Sequence, residues 1–213
     1  VRGRKNLLHL DFSGRLRSVR KVGGQTLAEI ASQAGLAGNS VVLYLESGKR
    51  AARLNTVEKL AYALGVAPAY LAYGLDGHCS SPAALQAAGV GARLQQARLE
   101  RGLSVLALAK RASAYSEARG MKPGPTHTAV ANIERGGTMP TIATVETLAN
   151  VLGLSPAWLA YGTGPQTFHR GAGLLRPLRC SDCRGLCKHR PVRPARPQLD
   201  DSAGCWTGTG IVQ

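Results

Sequence analysis

The stretch GVAPAYLAYG at residues 65–74 returns, little changed, as GLSPAWLAYG at residues 153–162. Upstream, LRSVRKVGGQTLAEIA from Leu16 lines up with LQQARLERGLSVLALA from Leu94. The upstream parts match at an offset of 78 and the downstream parts at 88, which sets Glu46 on Glu134, Leu60 on Leu148 and Pro68 on Pro156. Repeat 2 therefore carries ten extra residues, between about Ala112 and Pro125. Most matched positions are apolar, so the two copies share one core pattern. Each copy is about 60 residues, enough for one small helical domain.

Caps and periodicity supply the secondary structure. Thr26-Leu-Ala-Glu29 is a capping box, in which the hydroxyl takes a backbone N–H and the carboxylate reaches back. Leu27, Ile30, Ala31 and Ala34 then share a face, and Gly35 ends the helix. Ser104 caps the matching helix in repeat 2. Asn55-Thr-Val-Glu58 is expected to open a further helix, with Leu60, Ala61 and Leu64 inward and Gly65 as its stop. Ser155-Pro156 reads as a cap followed by proline at the first helical position, where its missing N–H costs nothing. The expectation is an all-α chain of five short helices per copy, with no strand alternation. Domain boundaries are set at a basic N-terminal arm over 1–12, a first domain over 13–74, a linker over 75–90, a second domain over 91–162 and an irregular basic tail over 163–213.

Composition narrows the function classes. Lys plus Arg is 27 against 12 Asp plus Glu, a net charge of +15, which favours a polyanionic partner, most often nucleic acid. The excess is spread, at +7 over 1–74, +3 over 75–162 and +5 over 163–213. Hydrophobic residues make up 44%, the share of an ordinary globular chain. No run of about 18 uncharged apolar residues occurs, so no membrane partner is expected, and Val1–Phe12 does not read as a secretory signal. Four of the five cysteines fall at or after Cys180, which argues for a reducing, cytoplasmic setting rather than a disulfide scaffold. Paired acids, or Ser/His and Cys/His arrangements on the helices, are not apparent, so no enzyme is expected.

The order of motifs, twice over, carries a resemblance. Arg stands four residues before Gly (Arg20 and Gly24; Arg98 and Gly102), and the Thr- or Ser-capped helix comes next. A turn then leads to a short helix ending Glu-x-Gly (Glu46-Ser-Gly48; Glu134-Arg-Gly136) and to the closing Pro-Ala-aromatic-Leu-Ala-Tyr-Gly. Each copy resembles the helix-turn-helix domain of the lambdoid phage repressors, Cro and their bacterial relatives, the Cro/C1-type or XRE family. The resemblance implies two lambda-repressor-like domains in tandem, acting on double-stranded DNA as a transcriptional regulator of bacterial or phage type. Two departures stand out. Leu27 and Val105 replace a Gln common after the second-helix cap, and the ten-residue insertion falls inside the second helix-turn-helix itself. The segment ALAKRASAYSEARG could lengthen its helix by a turn or two, with Gly120, Pro123, Gly124 and Pro125 making a long turn. It could also swing the reading helix, or add a contact through Arg111, Arg119 and Lys122.

In such a fold the third helix enters the major groove, where base edges present distinct donor and acceptor patterns. Repeat 2 offers Thr126, His127, Thr128 and Asn132 there, with Val130 and Ile133 inward. Asn suits a bidentate pair with adenine, and a Thr methyl can touch thymine. The matching residues of repeat 1 are Gly38, Asn39, Ser40 and Tyr44, with Val41 and Leu43 also expected outward and one residue more than the usual family spacing. Lys49, Arg50 and Arg53 come next, where phosphate contacts fall, while repeat 2 has Arg135 there and Arg111 nearby. Arg20 with Glu46, and Arg98 with Glu134, are expected to pair as scaffold ion pairs, since they recur while the residues around them change.

The alternative is a protein-interaction module, anti-activator or antitoxin-like, in which the corner of domain 1 docks a protein or a second copy. Leu43 and Tyr44 favour it for copy 1, and the polar face of copy 2 favours DNA. In the tail, Cys180-Ser-Asp-Cys183 is a zinc half-site that Cys187 and His189 could complete. Structural zinc, a redox-active or iron–sulfur role, and a disordered tail with incidental cysteines all stay open.

Overall fold

The structure is a computed structural model, and it describes residues 7–75 and 86–167. The tail residues Cys180, Cys183, Cys187 and His189 lie outside that range, as does most of the 75–90 segment. Repeat 1 forms α1 (Phe12–Val22), α2 (Leu27–Gln33), α3 (Asn39–Glu46), α4 (Leu54–Ala63) and α5 (Pro68–Tyr73). Repeat 2 forms α6 (Val90–Glu100), α7 (Val105–Glu117), α8 (His127–Glu134), α9 (Ile142–Leu152) and α10 (Pro156–Tyr161). Single 3-10 turns at Leu8–Asp11 and Gln86–Gly89 precede the two sets. Among the described residues the fold is all-α, with two isolated bridges and no strand.

Local chemistry starts most of these helices. The Thr26 hydroxyl accepts from Glu29 N at 3.2 Å while Glu29 Oε2 accepts from Thr26 N at 2.7 Å. That backbone bond holds the Glu29 carboxyl below its ordinary pKa. Ser104, Thr126 and Thr141 cap α7, α8 and α9 through their hydroxyls. Two expected caps are corrected. The fourth helix opens at Leu54 rather than at Asn55, with no side-chain cap, because Leu54 N donates to Pro140 O at 3.1 Å in the other repeat. Ser155 occupies the N-cap of α10 but its hydroxyl caps nothing; the residue is buried, and its N–H donates to Gln166 O. Leu64, expected inward, is the half-buried C-cap of α4.

The apolar positions repeat because the packing does. Leu16 and Leu94, Ile30 and Leu108, and Leu60 and Leu148 are buried pairwise at equivalent places. Full burial of one such side chain stabilises by roughly 1.5–3 kcal/mol. Arg15 in α1 donates to Leu71 O and Ala72 O, and Arg93 in α6 donates to Leu159 O and Ala160 O. Each arginine thus satisfies the last carbonyls of the closing helix in its own repeat. Burial pushes both guanidinium pKa values down, yet the groups remain cationic.

The two helical sets meet along a backbone seam and share one core. Arg53 and Thr141 form an antiparallel bridge, flanked by Leu54 N to Pro140 O at 3.1 Å and Ile142 N to Ala52 O at 3.0 Å. These positions are equivalent at the offset of 88, so the contact is reciprocal, as at a two-fold axis. Beside the seam, α5 packs on α10, and the buried Tyr73 hydroxyl donates to Ile142 O at 3.2 Å. The N-terminal turn crosses over as well. Glu146, only 2% exposed, accepts from Leu8 N at 2.8 Å and His9 N at 3.0 Å, and lies 2.6 Å from His9 Nδ1.

Candidate nucleic-acid interface

The outer face of α8 is built by alternation of burial. Val130 and Ile133 point into the core, which leaves Thr126, His127, Thr128 and Asn132 exposed. The Thr126 Oγ1 accepts from Ala129 N at 3.3 Å and sits 3.0 Å from Thr128 Oγ1, so the two hydroxyls at the helix start are ordered together. Donors and acceptors on one short exposed face are what reading of base edges requires.

A fork fixes the other end of α8. Arg98 Nε lies 2.7 Å from Glu134 Oε1 and Nη2 lies 2.8 Å from Oε2, with both side chains at most 9% exposed. The hydrogen bond to Glu134 raises the Arg98 pKa further. Arg98 Nη1 also donates to Leu103 O at 2.8 Å, which ties the turn before α7 to the same group. Beneath it, α6 touches the backbone of α8: a Cβ on Gly91 would meet Glu134 O at 2.8 Å, closer than real Cβ contacts come. The equivalent Ser13 in repeat 1 donates its hydroxyl to Leu45 O at 2.8 Å instead.

Repeat 1 forms the same fork with a different face around it. Arg20 Nε lies 2.6 Å from Glu46 Oε1, and Nη2 lies 3.0 Å from Oε2. Arg17, half exposed, brings a second guanidinium to 3.6 Å of Glu46. On α3, Asn39, Ser40, Leu43 and Tyr44 are exposed, Leu43 and Tyr44 at 47% each. Val41, expected outward, is half-buried and packs against the core, because it lies one turn before the buried Leu45 on the same side of α3. Lys49, Arg50 and Arg53 are exposed between α3 and α4, and Arg53 lies on the seam. The equivalent residues of repeat 2 are Gly137, Thr138 and Thr141, all neutral. Arg135 is exposed after α8, and Arg111 is exposed on α7 rather than on α8.

Sequence reading missed Glu146, His9 and the seam. Glu146 recurs as Glu58 at the offset of 88, and Arg15 recurs as Arg93 at 78, which was the available signal. A model of a helix-turn-helix domain family matches residues 90–160, about a third of the chain. Comparison with curated proteins and with solved structures finds no match. Residues 90–160 thus carry a helix-turn-helix domain, the class of fold that DNA-binding regulators use. Among the described residues no helix is long and apolar enough to cross a membrane.

Proposed function

We propose that the chain is a sequence-specific, double-stranded DNA-binding transcriptional regulator with two helix-turn-helix heads fused in tandem. One observation carries the reading: the reciprocal seam at Arg53 and Thr141 joins the segments after α3 and α8 at equivalent positions. Dimeric repressors use a two-fold axis to present two reading helices to half-sites about one helical turn apart. Here one chain supplies both, and since α3 and α8 differ in sequence the preferred site is not a palindrome. Thr126, His127, Thr128 and Asn132 read bases for repeat 2, and Asn39, Ser40 and Tyr44 for repeat 1. Lys49, Arg50, Arg53, Arg135 and Arg111 hold phosphates, which position the protein without reading sequence.

Binding selection on randomised duplexes tests this division. Asn132→Ala is expected to relax preference at one base position at a cost of roughly 1–3 kcal/mol. Arg50→Ala weakens all sequences about equally. Equal changes in sequence preference for both variants would contradict the assignment. A second reading rests on the exposure of Leu43 and Tyr44, 47% each, on the face where repeat 2 is polar. Under it, repeat 1 docks a protein, and Leu43→Ala with Tyr44→Ala leaves duplex affinity untouched.

A further inference from the structure

The insertion in repeat 2 is a built feature rather than a slack loop. Helix α7 spans 13 residues against 7 for α2, and the extra turns end at Glu117. The chain then folds back along its own helix. Arg119 N and Met121 N both donate to Ser116 O, and Gly120 N donates to Glu117 O. Ser116 is 2% exposed under this return. Gly124 lies so close to α7 that a Cβ there would meet Ala112 C and O at 2.7 Å and Ser113 N at 2.8 Å. The Arg119 guanidinium stacks 3.8 Å from the centroid of the Tyr115 ring, an arrangement that holds the charge in one direction.

This folded arm is cationic and its position is informative. Residues 110–125 hold Lys110, Arg111, Arg119 and Lys122 against Glu117 as the single acid. The equivalent turn of repeat 1, residues 34–38, is Ala-Gly-Leu-Ala-Gly and has no charge. The two repeats thus distribute their cations differently about the third helix: repeat 1 has Lys49, Arg50 and Arg53 after α3 toward the seam and none in the turn before it, whereas repeat 2 has Arg135 after α8 and the four cations of the arm before it. Eight helical residues separate the arm from the seam side of α8, about 12 Å along the helix axis.

We infer that the arm over 110–125 is a second phosphate clamp. It grips the DNA backbone flanking the repeat 2 half-site on the side away from the seam, through Arg111, Arg119 and Lys122. The inference rests on the DNA reading above and deepens it. Repeat 1 anchors the middle of the site and repeat 2 its outer edge, so the covered duplex extends further on the repeat 2 side.

The test is the salt dependence of full-length protein binding to a random-sequence duplex, for the parent, for Arg111→Ala/Arg119→Ala/Lys122→Ala and for Lys122→Glu. Each lost phosphate contact makes the log–log slope less steep by about 0.9, so the triple variant loses about two to three and its affinity falls more than roughly ten-fold at about 0.1 M salt. Lys122→Glu, which alters one exposed side chain, loses about one. Lys59→Ala, which removes one exposed charge from α4, is the control and keeps the parental slope. Slopes and affinities equal to the parent's for both arm variants would overturn the clamp, and the phosphate role of Arg111 with it, while the two-headed DNA reading stands on its other contacts. A parent that binds no duplex would overturn both.

Discussion

Glu134→Gln is expected to destabilise the protein by about 3 kcal/mol or more. The carboxylate and Arg98 meet in two near-parallel bonds of 2.7 and 2.8 Å, and neither side chain is more than 9% exposed. Removing one charge leaves the other buried without compensation, which costs about 3–5 kcal/mol in comparable pairs, whereas an exposed pair is worth under about 1 kcal/mol. The loss is structural as well, since Arg98 also holds Leu103 O and the fork sets α8 against α6. The Arg98→Met/Glu134→Leu double variant therefore recovers part of the stability but not DNA binding, because the planar fork that orients α8 is gone. In repeat 1 the second guanidinium at 3.6 Å, that of Arg17, softens the blow, so Arg20→Ala costs less than Arg98→Ala. Denaturant melts with additive, sub-kilocalorie losses for Arg98→Ala and Glu134→Ala would contradict the pinning role.

Glu146→Ala is expected to release the N-terminal turn from repeat 2. Three donors converge on that carboxylate, two of them backbone N–H groups that no other residue can satisfy if they stay in place. A buried donor left without an acceptor costs about 1–3 kcal/mol. Letting residues 8–10 swing into water limits the total, but it uncovers Leu7 and Phe12, which are buried. The net loss is about 2–4 kcal/mol. Amide exchange at Leu8 and His9 becomes fast while α6 and α8 stay protected. A stability change under about 0.5 kcal/mol with both amides still protected would show that the cross-repeat contact carries no weight.

The features legible in the sequence were local or repeated. The capping box at Thr26 and Glu29 is a four-residue signal, and the two forks could be inferred because Arg and Glu return at fixed offsets while the exposed face around them changes. The long α7 was legible too, since no Gly or Pro interrupts the chain between Ser104 and Gly120. The seam left no trace, because backbone N–H and C=O groups at 52–54 and 140–142 have no side-chain signature. That same seam overrode the cap pattern at Asn55 by giving Leu54 N an acceptor in the other repeat. Glu146 was illegible for a related reason: in the run Val-Glu-Thr it looks like an ordinary surface acid, and the groups that bond its carboxylate come from the N-terminal turn, 137 residues away in sequence for His9. At Gly124 the neighbouring prolines account for a turn, and the close approach to α7 is visible only in three dimensions.

The central claim is that this basic chain grips duplex DNA with two heads at once, and salt tests it most directly. Affinity for a random-sequence duplex is to be measured across a range of salt concentrations. With about six phosphates neutralised, log affinity falls against log salt with a slope of about −5. A flat response, or no binding even at low salt, would contradict the account.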